Sequence, residues 1–270
     1  MATSENNGNH INVLTHNEAA WDQQALLQQD WSKPVSAPLI AAAKKGQWEV
    51  HITKKPIPEN WLPKDIRGKD ILCLASAGGQ QAPLLAAAGA TVTVFDLSEK
   101  QLEQDRFVAK RDHLTLKTIQ GDMCQLKDVS DSSFDYIIHP ISNLYVSNLQ
   151  PIWSECYRVL RKEGVLLASF YNPILFIFDK DQTLEEQGLL KPKYSLPYAD
   201  INDLPQKILD EKIKNKEAFV FGHSLSSQIN GQLEAGFLLA GFYEDEHPSP
   251  RFIIEKYLPT MIATKAVKGA

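Results

Sequence analysis

From Lys69 onward the apolar residues fall into short β-rich runs separated by stretches with helical spacing. Five runs stand out: Ile71 to Ala75, Thr91 to Asp96, Thr115 to Gln120, Phe134 to His139 and Val165 to Phe170. Such alternation predicts βαβ units and a parallel sheet covered on both faces. The helices between them have legible ends. One starts near Pro83 and stops at Gly89, with proline first and glycine last. A second has Ser98 as N-cap and Gln101 three residues on, a capping box, with Leu97 and Leu102 spaced for a hydrophobic staple. A third begins at Pro151, puts Ile152, Cys156, Val159 and Leu160 on one face, and ends in Arg161 and Lys162 before Gly164.

The pattern changes on either side of this core, which we bound at 67–172. Residues 1–66 hold four of the five tryptophans, Trp21, Trp31, Trp48 and Trp61, among helix-like stretches at Glu18 to Gln29 and Ala37 to Lys45. They read as a helical N-terminal cap, with 1–10 disordered. Its indoles are expected to pack on the core, individual ones touching a ligand. Residues 173–222, rich in prolines, aromatics and charges, read as an insertion after the fifth strand and a lid over an acceptor site. Residues 223–270 supply a final helix from Ser224 to Ala240 and two more strand candidates, Phe242 to Glu244 and Leu258 to Lys265. The expected fold is α/β, a doubly wound sheet.

Composition narrows the function. With 270 residues, 43% of them hydrophobic and 23% charged, the chain can bury a sizeable core. Its longest apolar runs, such as Ile174 to Phe178, fall far short of the ~20 residues of a spanning helix, so no membrane association is expected. The polar, Asn-rich start lacks a secretory pattern, and a cytoplasmic location follows as an expectation. Net charge of -5 argues against a nucleic-acid substrate. Cys73, Cys124 and Cys156 have neither disulfide nor zinc spacing, and the histidines at 10, 16, 51, 113 and 247 show no metal-binding pattern. No metal is expected, and the sequence does not set an oligomeric state.

The chemistry concentrates at one edge of the expected sheet. Ile71-Leu72-Cys73-Leu74-Ala75-Ser76-Ala77-Gly78-Gly79-Gln80-Gln81 runs an apolar strand into a small-residue loop and then a helix. In an open parallel sheet this turn lies where ligands bind, and small side chains let a ligand approach the backbone. Asp96 ends the next strand, 18 positions after Gly78. It either accepts hydrogen bonds from ribose hydroxyls or closes the turn before Ser98, and the loop favours the ligand role. Gly121-Asp122-Met123 follows the third strand, where Asp122 could meet an adenine amine and Met123 the ring, or both could be ordinary turn and core residues.

These three segments in this order resemble the class I S-adenosylmethionine-dependent methyltransferase family over roughly Lys69 to Phe170, and the Phe242 to Lys265 pair resembles its reversed last strand. The resemblance implies a mostly parallel seven-stranded sheet and S-adenosyl-L-methionine as cofactor. It implies a cofactor site of Ala75, Ser76, Ala77, Gly78, Gly79, Gln80, Asp96, Leu97, Gln101, Asp122, Met123 and His139. The family's loop begins with an acid and holds three glycines; here Cys73 takes the acid position, Ala75 and Ala77 replace the first two glycines, and Gly79 remains. Leu72 to Ser76 and Gly78 to Gln81 are similar to a bacterial group labelled only as methyltransferase.

In the family the end of the fourth strand faces both sulfonium and acceptor. His139 could orient or deprotonate an acceptor, or simply bond a loop carbonyl. His223 is the second candidate base. Tyr145, Tyr171, Asn172, Tyr198 and His223 come from segments expected to converge on the acceptor. An Asn/Asp-Pro-Pro-aromatic run, the family's mark of nucleobase methylation, is absent. The expected partner is a small-molecule methyl acceptor. A nicotinamide-dependent oxidoreductase is the rival enzyme, disfavoured because the loop lacks G-x-G-x-x-G and the chain has no Tyr-x-x-x-Lys pair. A cofactor-binding module without catalysis is the other rival.

Overall fold

A computed structural model describes residues 11–269, so the expected disorder of 1–10 lies outside the described residues. Five parallel strands form first: β1 (Asp70–Leu74), β2 (Thr91–Asp96), β3 (Lys117–Gln120), β4 (Phe134–His139) and β5 (Leu160–Tyr171). A two-residue pair, β6 (Tyr198–Ala199) and β7 (Phe221–Gly222), stands apart. The main sheet is completed by β8 (Phe237–Asp245) and β9 (Met261–Lys268), in the order β3-β2-β1-β4-β5-β9-β8. The last strand is antiparallel to both its neighbours. The order reverses between β1 and β4, which opens a crevice at their carboxyl ends.

Side-chain alternation assigns the two faces. Ile71 and Cys73 of β1 join one buried cluster with Val92, Val94 and Leu167, while Leu72 and Leu74 join the other with Phe95, Ile137 and Leu166. Both faces are covered, which is why β1 is apolar from Ile71 to Leu74 rather than alternating. One cover is α5 (Gln150–Val159), whose Ile152, Trp153, Cys156 and Val159 are fully buried. The opposite cover comes from the cap, through Val50, Ile52, Trp61 and Leu62.

The helices that precede α5 are α1 (Val13–Leu26), α2 (Ala37–Ala43), α3 (Gln81–Ala87) and α4 (Glu99–Asp112). Pro83 sits inside α3 rather than at its start. The capping box is half formed. Ser98 accepts from the Gln101 N–H at 3.1 Å, but the return bond to the Ser98 N–H is made by Asp96 Oδ1 at 3.0 Å. Gln101 is thereby released to donate to Ser32 and to the Trp21 carbonyl. The expected final helix is also shorter. It ends at Glu234, and Phe237 opens β8 eight residues before Asp245, because pairing along β9 outweighs the local helical pattern.

The 173–222 insertion surrounds a small core of Leu175, Phe176 and Tyr198. It grips the cap. Asn17 of α1 accepts from the Phe219 N–H at 2.8 Å and donates to the Phe219 carbonyl at 3.1 Å, and His16 stacks on the Phe219 ring.

Candidate active site

The chain leaves β1 through Ala75, whose φ of +48° lies in the left-handed region, and Ala75 N–H donates to the Phe95 carbonyl at 2.8 Å. The next loop is held by two carboxylates. Asp96 accepts from the Ala77 N–H at 3.2 Å, and Asp105, projecting from α4, accepts from the Gly78 N–H at 3.0 Å. Asp105 was not anticipated from sequence. It brings a buried carboxylate from α4 to the underside of the loop.

The glycines serve this packing. A Cβ on Gly78 would meet Gln101 Oε1 and the Trp31 carbonyl, each at 2.9 Å, and one on Gly79 would meet the Gln104 carbonyl at 2.9 Å. The Cα hydrogens of Gly78 and Gly79 therefore face the cap and α4, and neither glycine lines the cavity.

A cavity of about 490 Å³ opens beside the loop. On the sheet edge it is lined by Ala75, Ser76, Ala77, Asp96, Asp122 and Met123, and Gln80, Leu97 and Gln101 also reach it. Burial pushes the Asp96 carboxyl up to about 6 and the Asp105 carboxyl up to about 7, each opposed by backbone N–H donors. Ser76 Oγ and Gln101 Oε1 are buried on this wall without a hydrogen-bond partner. Unmet polar groups beside a rim carboxylate are what a nucleoside with an amino-acid tail would satisfy, so these residues fit an adenosine-type cofactor.

The far wall comes from the cap. Trp21, Trp31, His51 and Lys54 line it, together with Tyr145, Tyr171 and Arg251. Of the four cap indoles, Trp21 and Trp31 face the cavity, while Trp61 and Trp48 pack into the core. The cap is tied to the loop by Val35 N–H to the Gly79 carbonyl at 2.8 Å and by Gln80 Nε2 to the Asp30 carbonyl at 2.8 Å. Asp22 of α1 accepts from the Ser98 hydroxyl at 2.6 Å and the Lys100 N–H at 3.1 Å, at the amino end of α4.

Other expectations are corrected. His139 is fully buried, its Nδ1 3.0 Å from the Leu74 carbonyl and its Nε2 2.6 Å from Asn143 Oδ1, so neither nitrogen reaches the cavity. Burial lowers its basicity. His223 donates through Nε2 to the Val146 carbonyl at 2.8 Å and does not line the cavity either. Asn172 accepts from the Ile174 N–H to close a turn, and the Tyr198 hydroxyl donates to Asp200 within the insertion. Among the described residues, none from 172 to 250 lines the cavity, so the insertion braces the cap and is not itself the cover. Asn17, His51, Lys54 and Arg251 had no motif to betray them; they meet only through the tertiary fold.

Residues 72–168 match the family described as a methyltransferase domain. The chain belongs to the class I S-adenosylmethionine-dependent methyltransferases, with S-adenosylmethionine as cofactor. It is 49% identical to the uncharacterized methyltransferase YbaJ of Bacillus subtilis (strain 168), over 95% of this chain and 98% of that one. A demethylmenaquinone methyltransferase of Tropheryma whipplei (strain Twist) is 30% identical over 41% of this chain and 45% of its own. In fold, the chain is similar to an S-adenosylmethionine-dependent methyltransferase from Mesorhizobium loti, with a TM-score of 0.60 and 18% identity over 78% of this chain and 95% of that one.

Proposed function

We propose that this methyltransferase acts on a small molecule held between the sheet edge and the N-terminal cap. In this reading Asp96 takes the ribose hydroxyls, Asp122 and Met123 the adenine, and Ser76 and Gln101 the amino-acid end of the cofactor. When bound, S-adenosylmethionine supplies a methyl group on a sulfonium centre, open to in-line displacement by the acceptor. The chain's own work is alignment and exclusion of water. Neither His139 nor His223 serves as a base.

One observation carries the reading of acceptor size. The cap lies across the sheet edge and bounds the cavity on its outer side, through Trp21 and Trp31, at a volume in the range of small-ligand pockets. A macromolecular acceptor would need that face open. We place the enzyme in the cytoplasm, where the free thiols of Cys73, Cys124 and Cys156 persist.

The test is incubation with isotopically labelled methyl donor and a cell extract divided by dialysis. Label is expected in a compound from the dialysable fraction, found by mass spectrometry. Label confined to retained protein or nucleic acid refutes a small acceptor.

A further inference from the structure

The outer wall of the cavity carries two cations that methyl transfer does not itself require. Arg251 Nη2 donates to the Tyr171 hydroxyl at 3.0 Å and approaches Glu255 Oε1 at 3.5 Å. That carboxylate is already engaged, since Oε2 accepts the Arg251 and Phe252 N–H groups at 2.5 and 3.1 Å and Oε1 accepts the Thr260 hydroxyl at 3.1 Å. Nε and Nη1 of Arg251 make no hydrogen bond to any described residue. Lys54 Nζ lies 4.4 Å over the Trp31 ring with no carboxylate in ion-pair reach among the described residues, and the Arg251 guanidinium lies 6.0 Å from the same ring.

We infer that this wall is the recognition site for a carboxylate on the acceptor, whose apolar body lies against Trp31, Ile52 and Met261. The free Nε–H and Nη1–H groups can each donate a charge-assisted hydrogen bond to a carboxylate oxygen, and the lysine adds a second charge across the indole. Glu255 pairs with Arg251, while Asp30 lines the same cavity without an ion pair to either cation. The inference rests on the small-molecule reading above and adds the chemical class of the acceptor.

The first test uses the full chain saturated with S-adenosylhomocysteine. Calorimetric titration with phenylacetate and with its uncharged analogue phenylacetamide is expected to show the acid binding about tenfold tighter. Arg251→Gln and Lys54→Gln should each shrink that preference. Lys54 is exposed, so its variant keeps the test independent of folding. Equal affinity for acid and amide, whether both bind or neither does, overturns the inference.

The dialysable extract is also split on an anion exchanger before reaction with labelled donor. The labelled product should arise from the retained fraction, and a product arising only from the flow-through overturns the inference while leaving the small-molecule reading intact. Label confined to macromolecules instead overturns that reading, and the inference with it. Finally, the cofactor carries a carboxylate of its own. If Arg251→Gln and Lys54→Gln weaken S-adenosylhomocysteine about tenfold but spare methylthioadenosine, which lacks the amino-acid end, the cations serve the cofactor and the inference fails.

Discussion

Burial of Asp105 is expected to make the stability of the fold depend on pH. Its side chain is fully buried, one oxygen accepts the Gly78 N–H and the other has no partner. Burial raises its pKa from 3.8 to about 7, with Asp96 adding repulsion. The folded state therefore keeps a proton that the unfolded chain releases, and stability conferred below pH 4 is lost as pH climbs toward 7. Each unit is worth ~1.4 kcal/mol, so between about pH 5 and about pH 7 the penalty grows by roughly 3 kcal/mol. Asp105→Asn keeps an oxygen to accept the Gly78 N–H and removes the titration. Its amide NH₂ lacks an acceptor, a pH-independent cost of about 1–3 kcal/mol. The quantity to compare is the difference between pH values, not the absolute stability. Urea unfolding of parent and variant at about pH 5 and about pH 8 should show the parent losing roughly 3 kcal/mol more than the variant across the interval. Parallel pH profiles would refute the buried-carboxylate account.

Three further outcomes follow from the same geometry. Asp96→Ala should weaken S-adenosylhomocysteine by about tenfold or more, read by calorimetry, since hydrogen bonds to a charged acceptor contribute roughly 1.5–3 kcal/mol; unchanged affinity would remove the ribose role. Gly79→Ala places a Cβ 2.9 Å from the Gln104 carbonyl at φ +72°. A loss of about 1–3 kcal/mol in thermal unfolding is expected, together with a smaller stabilisation by S-adenosylhomocysteine. Asp22→Ala removes the acceptor for Ser98 and Lys100 and should cost about 1 kcal/mol, with faster hydrogen exchange at the amino end of α4; unaltered exchange there would show that α1 does not secure that end.

The core of the fold was legible because its signals are local. β2 and β4 were bounded to the residue, and Asp96 was placed at a strand tip, since strand periodicity, an N-cap serine and a small-residue loop all act over a few positions. Misreadings fell where long-range contacts compete. Phe237 to Leu239 carry helix-compatible residues but pair with β9, and the Gln101 side chain makes no capping bond because Asp96 already fills that place. His139 looked available in sequence, yet the carbonyl of Leu74, 65 positions away, occupies its ring.

By itself the sequence determined the strand and helix succession, the open parallel sheet and the carboxylates along its edge, because hydrophobic period and turn chemistry are written in neighbouring residues. Only the tertiary structure decided the outer wall of the site. Asp105 beneath the loop and Trp31, Lys54 and Arg251 across the cavity are brought together by chain segments up to 220 residues apart, through packing that no local pattern encodes.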